Sequence, residues 1–509
     1  MRVVTERRLT DAQVDAALRP RRSWLCERDE GGGRFGLENG PFHSYERVIE
    51  LGDAQSDGSR HVRQTVTYSI AIDYVWFLFA LSMRRLLRKL PGNDHMPWWM
   101  PPDVLDGRAA TTLGCLALLS YATGSLSVLL SQTLTYAADQ FRADTGAQGV
   151  AVAFVRADVL VALVFVWAAD RRGRRWALLS AGLCAALGTV ASGLTPSLPW
   201  FALAQIVARG GTAAAALLIG IMLAEEMPAS ARAWSLSFVT IIGALGAGVP
   251  IFLLFLADTG PNGWRLLFGL GFLTLPALHV LRRSLPESRR FGQPHVEAAV
   301  AGHGRRFWLL AVSGFLLAVF IAPAASFTNE YLRTEQGFSA ARISLFTILT
   351  NIPGGVGIVI GGILAERGRR MVGALAVLVG TGATVLMFLF TGWPLWAWSV
   401  VGAVLGAATV PALGVYGPEL FPTSLRGRAN GIITGLSRLG SVLGLIACGF
   451  MARRFDALGP SLAVLAIGPA MLALLIVAAY PETAHLELED INPEDAPISE
   501  TPAAPAPSP

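Results

Sequence analysis

The sequence has few charged residues for its length. Of 509 residues, 15% are charged and 53% are hydrophobic, and the mean hydropathy is +0.50. A soluble chain carries roughly 25% charged residues, so the deficit excludes a water-soluble enzyme with several cores. It also excludes an intrinsically disordered chain. The excess of apolar residues predicts a polytopic membrane protein.

Lysine and cysteine are also scarce. Lys89 is the only lysine, and the 41 basic residues balance 36 acidic ones to a net charge of +5. The arginines come in short clusters between apolar runs, which does not indicate nucleic-acid binding. The four cysteines are far apart and form neither a metal-ligand spacing nor a redox pair. We therefore predict no metal, no cofactor and no nucleic-acid partner.

The first part of the chain is polar and lacks the apolar core of a secretory signal. We predict a cytosolic head at residues 1–108, in which Gly31–Gly33 is a linker, with a phosphate loop as the alternative. An apolar stretch interrupted by Asp73 and followed by basic residues predicts an interfacial helix near residues 66–90. An additional membrane span is the other interpretation of that stretch.

Twelve apolar stretches of spanning length follow the head, and a spanning helix needs about 20 apolar residues. They lie near residues 109–134, 147–168, 176–194, 197–223, 233–257, 263–282, 307–328, 343–364, 371–391, 394–415, 429–450 and 459–480. The basic stretch 283–305 divides them into six and six. We predict an all-α polytopic membrane protein with an N-terminal bundle at 109–282, a cytosolic linker at 283–305 and a C-terminal bundle at 306–480. The acidic, Pro-rich tail 481–509 is expected to be disordered.

The arginines are concentrated in loops that lie on one side of the membrane if the head is cytosolic. The loops after spans two and eight and the linker between the halves are rich in arginine, whereas the opposite loops carry few. Arg453 and Arg454 are the main exceptions. This asymmetry predicts a multi-pass protein of the plasma (inner) membrane with both termini in the cytoplasm.

The two halves carry the same landmarks 194 or 195 residues apart. Asp170-Arg-Arg-Gly-Arg-Arg175 corresponds to Glu366-Arg-Gly-Arg-Arg370, and Glu225-x-x-Pro-x-x-x-Arg232 corresponds to Glu419-x-x-Pro-x-x-x-Arg426. Pro286-Glu-Ser288 corresponds to Pro481-Glu-Thr483. Three matches at one offset, each after the same span of its half, predict two six-helix pseudo-symmetric bundles related by duplication. Such halves are typical of transporters that work by alternating access.

These strings resemble the major facilitator superfamily over about residues 109–490. The Asp/Glu-Arg-x-Gly-Arg-Arg loop resembles the hallmark of that superfamily between spans two and three and again between spans eight and nine. The string Pro418-Glu-Leu-Phe-Pro-Thr-Ser-Leu-Arg-Gly427 and the two Pro-Glu-Ser/Thr motifs resemble its sugar-porter, organic-ion and metabolite:proton symporter branch. The resemblance implies the twelve-helix fold and a secondary transporter.

The matched carboxylates and arginines predict two ion-pair networks at the inner ends of the helices. One contains Asp170, Arg174, Arg175, Glu225 and Arg232, and its counterpart contains Glu366, Arg369, Arg370, Glu419 and Arg426. We interpret them as a latch on the inner gate, the role that the resemblance also implies. The alternative is that the basic loops only fix the topology.

Ionisable residues inside spans are costly and tend to face a cavity or a partner. Asp158 is the clear carboxylate at depth and is the candidate proton carrier, unless it forms a static ion pair with Arg209. Arg156 and Arg438 could bind an anionic substrate, and a structural role is the alternative. Asn351 occupies the repeat position of Arg156, and Glu330 is expected at the outer mouth.

We predict a secondary active transporter of a small solute, coupled to protons and acting in uptake as a functional monomer in the lipid bilayer. Drug or metabolite efflux by proton antiport is one alternative. A transporter-like solute receptor that signals through the head is another. No nucleophile–base pair and no nucleotide-binding loop is evident, so neither an enzyme nor an ATP-driven pump is indicated.

Overall fold

The computed structural model describes the chain except for residues 55–58, 92–95, 98, 144–150, 152–153, 292–299, 339 and 496–509. The described residues separate into two compact units. Unit 1 comprises Met1–Asp158, Ala181–Ile219 and Glu226–Pro286. Unit 2 comprises Val159–Ser180, Gly220–Glu225 and Glu287–Pro509.

The head in unit 1 is an antiparallel sheet of five strands in the order β1-β5-β4-β3-β2. The strands are β1 (Arg2–Thr10), β2 (Cys26–Gly31), β3 (Arg34–Asn39), β4 (Phe42–Ala54) and β5 (Ser59–Ile70), with helix α1 (Asp11–Ala17) after β1. Burial alternates along β5, where Val62, Val66, Tyr68 and Ile70 are buried and their neighbours are not. This period of two is what a sheet with one covered face requires. The sequence prediction of a polar head did not include this sheet.

Gly31–Gly33 forms the tight connection between β2 and β3. All three glycines have positive φ, between 61° and 82°, which residues with a side chain rarely adopt. A strand follows the glycines, so this segment is a hairpin turn. The phosphate-loop alternative is wrong, because the segment does not lead into the helix that would receive a phosphate.

The core of the head contains a buried ion-pair cluster centred on Glu27. The Glu27 carboxylate accepts hydrogen bonds from the Arg47 guanidinium at 2.5 Å and from the Tyr45 hydroxyl at 2.5 Å. Burial raises the pKa of Tyr45, so its hydroxyl stays protonated and remains a donor. Arg21 also pairs with Glu27 and donates to the backbone carbonyls of Leu87 and Lys89. The cluster therefore ties the sheet to the segment that leads into the membrane.

That segment contains helix α2 (Trp76–Leu87). The predicted interfacial helix at 66–90 is thus shorter than expected, because its first residues belong to β5. Val75 precedes the helix, and Tyr74 has a φ of 67°, a left-handed turn that redirects the chain from sheet to helix. A spanning length is not reached by the 12 residues of α2.

Eleven described helices are long and apolar enough to cross a membrane, and they match eleven of the twelve predicted spans. The second predicted span, 147–168, falls partly outside the described residues. Its described part has helical residues at 151 and 154–155, a turn at residues 156–157 and an α-helix from Asp158. The helices after α2 are α3 (Gly107–Ser127), α4 (Leu129–Gln140), α5 (Asp158–Arg172), α6 (Arg174–Gly193), α7 (Leu198–Glu226), α8 (Arg232–Phe252), α9 (Gly263–Leu266), α10 (Leu270–Ser284), α11 (Gly304–Thr334), α12 (Ala340–Ala365), α13 (Arg369–Leu389), α14 (Trp393–Gly414), α15 (Tyr416–Glu419), α16 (Thr423–Phe455), α17 (Leu458–Leu465), α18 (Ile467–Ala479) and α19 (Leu488–Ile491).

Corresponding helices pack in the same way in the two units. In unit 1, Gly246 of α8 lies against the backbone of Tyr121 in α3. In unit 2, Gly444 of α16 lies against the backbone of Val319 in α11. A side chain at either glycine would approach backbone atoms to 2.1 Å, so glycine permits this close helix contact.

The first part of the tail is ordered, which corrects the expectation of disorder for residues 481–495. Leu488 is fully buried, and Ile491 packs in an apolar cluster with residues of α13 and α18. Arg306 holds the segment by donating to the Asn492 side chain at 2.8 Å and to the Ile491 carbonyl at 3.0 Å. Two apolar residues and one arginine therefore outweigh the acidic composition. Residues 496–509 lie outside the described part.

Candidate functional site

A buried carboxylate, Glu225, is the centre of an ion-pair network in unit 2. It lies in the last turn of α7 and is 4% exposed. Its carboxylate accepts from the guanidinium groups of Arg426 at 2.6 Å and Arg174 at 3.4 Å. The Ser288 hydroxyl donates to its other oxygen at 2.5 Å. A buried charge with this many partners is stabilising only while all of them stay in place.

Arg174, at the start of α6, extends the network to the beginning of α16. It donates to Asp170 at 2.9 Å and to the Thr423 backbone carbonyl at 3.0 Å. Asp170 in turn accepts from the backbone N–H of Arg428 at 3.1 Å. A carboxylate near a helix N-terminus is favoured by the helix dipole. The hallmark loop therefore contacts the first turns of α16 through both a cation and an anion.

Glycine at position 427 permits this approach. A side chain there would bring its first carbon within 2.5 Å of the Asp170 carboxylate. Real Cβ atoms do not approach a carboxylate so closely, so a substituent would displace the Asp170 carboxylate that accepts from the start of α16. Gly427 is thus part of the site although it carries no functional group.

The counterpart network in unit 2 is centred on Arg369. Its guanidinium donates to both carboxylate oxygens of Glu419, to Glu366 at 3.2 Å and to the Thr483 hydroxyl at 3.2 Å. Arg369, Glu366 and Glu419 are all buried. Of the two adjacent arginines predicted for this network, Arg369 faces inward, whereas the side chain of Arg370 is exposed.

Arg426 also differs from the prediction, which placed it in the Glu419 network. It joins Glu225 instead, and its other amino group donates to Asp495 at 3.1 Å. Asp495 accepts a second bond from the Thr423 backbone N–H at 2.8 Å. The ordered tail thus supplies a carboxylate to the first network. Arg232, the repeat counterpart of Arg426, is buried in unit 1.

Two further carboxylates bind the N-termini of the helices that follow the hallmark loops. Glu287 accepts from the backbone N–H groups of Arg174 at 2.8 Å and Arg175 at 3.1 Å. Glu482 accepts from those of Arg369 at 3.0 Å and Arg370 at 3.2 Å. Both act as anionic caps for otherwise unpaired helix donors. In the sequence these glutamates stand out only as landmarks of the repeat, which does not indicate their role as caps.

Asp158 is the first residue of α5 and is 1% exposed in unit 1. One of its oxygens accepts from Arg209 at 3.3 Å, and the other has no hydrogen-bond partner in the described part of the chain. Arg209 also donates to the Ser127 backbone carbonyl at 3.4 Å, and its side chain is 26% exposed. The buried carboxylate therefore has one long ion pair, and the arginine of that pair is partly exposed to solvent.

Family models match both halves of the chain. The model described as Major Facilitator Superfamily matches residues 309–505, and the model described as Sugar (and other) transporter matches residues 110–303. The chain belongs to the major facilitator superfamily. The predicted resemblance is confirmed, as is the all-α membrane fold. The prediction of a transport protein and not an enzyme is also confirmed, because the family and its relatives are transporters.

Among curated relatives, the chain is similar to two bacterial transporters. The cis,cis-muconate transport protein of Acinetobacter baylyi is 24% identical over 365 residues, which cover 66% of this chain and 86% of that protein. The citrate-proton symporter of Salmonella typhi is 32% identical over 145 residues, 27% of this chain and 31% of that protein. This similarity supports solute transport by a multi-pass membrane protein.

Solved structures of major facilitator proteins share the fold. The proton:xylose symporter XylE superposes with a TM-score of 0.63 at 19% identity, covering 75% of this chain and 99% of XylE. The E. coli fucose:proton symporter FucP has a TM-score of 0.61 at 12% identity, covering 74% of this chain and all of FucP. A quarter of this major facilitator protein therefore lies outside the superposition with XylE.

The remaining predicted site residues are spread over the protein. Arg156 is partly buried in the turn before α5. Arg438 lies partly exposed at the middle of α16 and has no ion-pair partner among the described residues. The side chain of Glu330 lies outside the part that the structure describes. Whether any of them contacts substrate stays a prediction.

Asn351 lies at a cavity of about 450 Å³ within unit 2, between α11, α12, α13 and α14, with both polar and apolar residues in its lining. Its amide donates to the Thr347 carbonyl at 2.8 Å. The hydroxyls of Thr328, Thr350 and Thr384, which also line the cavity, each donate to a carbonyl of their own helix. These side chains therefore offer mainly hydrogen-bond acceptors to the cavity.

Proposed function

We propose that this protein takes up a small organic acid together with protons across the plasma membrane, by alternating access, with both termini in the cytoplasm. The observation that carries the proposal is the buried Asp158, whose second oxygen has no hydrogen-bond partner among the described residues. A carboxylate in an apolar region with one long ion pair is costly while it is charged. Protonation removes that cost, so this position suits a proton carrier.

Arg209 supplies the second state of the proposed carrier. Its partly exposed guanidinium favours the charged form of Asp158 while the two remain paired. When Arg209 turns toward solvent or an anionic substrate, Asp158 loses its only described ion pair and takes up a proton. Substrate binding and proton binding are then linked through one arginine. An ion pair that breaks when substrate binds couples substrate binding to proton binding, whereas an ion pair that never breaks would not.

The organic-acid class is supported by charge. Arg438 lies at the middle of a membrane-spanning helix without a described carboxylate partner, and an arginine at this depth costs roughly 2.5–3.5 kcal/mol on insertion scales. An anionic substrate would satisfy it bidentately. The muconate and citrate relatives are named for carboxylates, which makes dicarboxylates the first solutes to test.

The Glu225 network is the proposed inner gate. It joins the ends of α5, α6 and α7 to the beginning of α16 with the ion pairs described above. Opening toward the cytoplasm must break the Arg426–Glu225 contact. The second network, around Arg369, joins residues that are all C-terminal in the sequence and can remain intact.

Transport by purified protein in proteoliposomes tests the proposal. We expect muconate to accumulate when an inward proton gradient is imposed, and accumulation to stop when a protonophore removes the gradient. Accumulation of a carboxylate with no dependence on the gradient would exclude proton coupling. No accumulation of any dicarboxylate, with accumulation of an uncharged solute, would exclude the organic-acid class.

A further inference from the structure

The outward face of α2 changes from apolar to basic along the helix. Its first half exposes large apolar side chains, with Phe77 and Leu81 exposed at 60% and 61%. Trp76 and Leu78 are also more than 40% exposed. The end of the helix and the residues just after it carry Arg84, Arg85, Arg88 and Lys89, all exposed. A face of this kind is unfavourable in water unless something apolar covers its first half.

Contacts within unit 1 fix the position of α2 against two spanning helices. The Phe79 ring packs on Phe238 of α8 with centroids 5.5 Å apart. The backbone of Asp73, just before α2, lies against Gly114 of α3, where a side chain would approach it to 2.4 Å. Since Gly114 and Phe238 are seven and six residues from the starts of their helices, the contacts lie about 10 Å from those helix ends.

This distance places α2 at the boundary of the hydrocarbon region. The first span, Gly107–Leu134, has 28 residues and is about 42 Å long, compared with about 30 Å of hydrocarbon. About 6 Å of the helix therefore extends into each headgroup layer. A contact 10 Å from the end lies just inside the hydrocarbon. The apolar half of α2 then meets acyl chains, and the basic end reaches the headgroups.

The basic residues are available for an anion. Among the described residues, Arg84, Arg85 and Arg88 form no ion pair. Positive charges near a helix C-terminus interact favourably with the helix dipole. This interaction does not explain the exposed apolar face beside them. Both features are explained by a membrane with negative headgroups, which attracts basic residues at its surface.

We infer that α2 is a docking site for anionic phospholipids of the leaflet on the side of the head, with Arg84, Arg85 and Arg88 binding the phosphate groups and Phe77 and Leu81 inserted among the acyl chains. The bonds from Arg21 to the carbonyls of Leu87 and Lys89 connect this site to the sheet. The head is therefore held at the membrane surface through the lipid-bound helix. This site is independent of the proposed transport cycle.

Thermal unfolding of the full chain in a neutral detergent tests the inference. The probe is dioleoylphosphatidylglycerol, titrated against dioleoylphosphatidylcholine, and the apparent Kd is taken from the rise in Tm. We expect a rise with phosphatidylglycerol only. Each arginine contributes about fivefold to the affinity, so Arg84→Gln, Arg85→Gln and Arg88→Gln together should raise the Kd about a hundredfold.

The matched control changes three other exposed arginines of the head, Arg2, Arg7 and Arg8 on β1, to glutamine. It removes the same charge and should leave the Kd unchanged. Equal effects of the two triple variants would overturn the inference, as would equal shifts with the two lipids. A shift with inorganic phosphate at matched ionic strength would also overturn it, because the proposed site requires the lipid.

A second variant, Phe77→Ser with Leu81→Ser, keeps all the arginines. We expect it to weaken phosphatidylglycerol binding while leaving the Tm without lipid unchanged or slightly higher, because it removes exposed apolar surface. A large loss of stability without lipid would show instead that this face is covered by protein, and would overturn the inference.

Discussion

Arg426 and Glu225 form a buried ion pair at 2.6 Å between the first turn of α16 and the last turn of α7. Both side chains are fully buried, and each has a further charged partner, Asp495 for the arginine and Arg174 for the glutamate. The charges of Asp495, Arg426, Glu225 and Arg174 therefore alternate in sign along this series of contacts. The removal of any one leaves a buried neighbour with fewer counter-charges, which destabilises this arrangement.

Glu225→Gln should favour the state that is open toward the cytoplasm. The amide cannot neutralise Arg174 and Arg426, so the closed gate loses about 3 kcal/mol. Labelling of cysteines introduced near the inner and outer ends of the helices should show greater accessibility on the inner side. Glu419→Gln is the matched control, because Glu419 pairs with Arg369 in the second network. It should lower Tm without changing the labelling pattern, and equal labelling changes in both variants would contradict the gate assignment.

Asp495→Asn should also weaken the gate, although the residue lies in the tail. The change removes one of the two carboxylates that position Arg426 and weakens the cap on Thr423 at the start of α16. We expect a loss of about 1–2 kcal/mol of stability. Asp490→Asn is the control, because Asp490 is exposed on α19 and has the same charge and a similar position in the chain. Tm values that change equally in the two variants would show that only net charge matters.

Gly427→Ala should prevent closure of the gate. The new carbon would lie 2.5 Å from the Asp170 carboxylate, so that carboxylate must shift away from the backbone N–H of Arg428 in α16. Gly435→Ala lies two turns later in the same helix, where no atom is within 4 Å of the added carbon. That control should be neutral or stabilising by up to about 1 kcal/mol, because alanine is the better helix former. Wild-type transport rates in the Gly427 variant would exclude a close contact at this position during the cycle.

The sequence predicts most of the membrane part because its signals are local. Eleven spans follow from apolar stretches of sufficient length, and the repeat offset correctly groups Asp170, Arg174 and Glu225. The partner of Arg426 could not be predicted in the same way. A duplicated sequence allows Arg426 to pair in either network, and only packing determines that it reaches Glu225. The choice between Arg369 and Arg370 likewise depends on which side of the helix start faces inward.

The head and the tail were missed for different physical reasons. The alternation of Val62, Val66, Tyr68 and Ile70 in β5 is a strand signal, whereas the composition of the head indicates only a polar region. Buried polar residues such as Gln64 of β5 and Arg47 of β4 interrupt the hydrophobic alternation. The hydrogen-bond acceptors that allow their burial are distant in sequence. In the tail, Leu488 and Ile491 are too few to offset acidic composition in a sequence-based prediction. Their burial depends on a surface formed by other helices.

Asp158→Asn tests the coupling proposal directly. The amide cannot release a proton and cannot form an ion pair with Arg209, so the carrier is held in a form that resembles protonated Asp158. We expect accumulation driven by the proton gradient to fall by at least about tenfold, whereas exchange of internal for external solute should continue, because exchange requires no net proton movement. Both rates can be measured in the same proteoliposomes with labelled solute.

Asp456→Asn is the control for this variant. Asp456 is exposed at the end of α16 and has a left-handed backbone conformation that asparagine also adopts readily, so the change removes a carboxylate without straining the chain. It should leave both accumulation and exchange at wild-type rates. Full accumulation by Asp158→Asn would assign Asp158 a static role beside Arg209, and loss of exchange as well would indicate that the residue is needed for folding or for substrate binding. Only the selective loss of accumulation agrees with a proton carrier, because only the driven process depends on release of the proton inside.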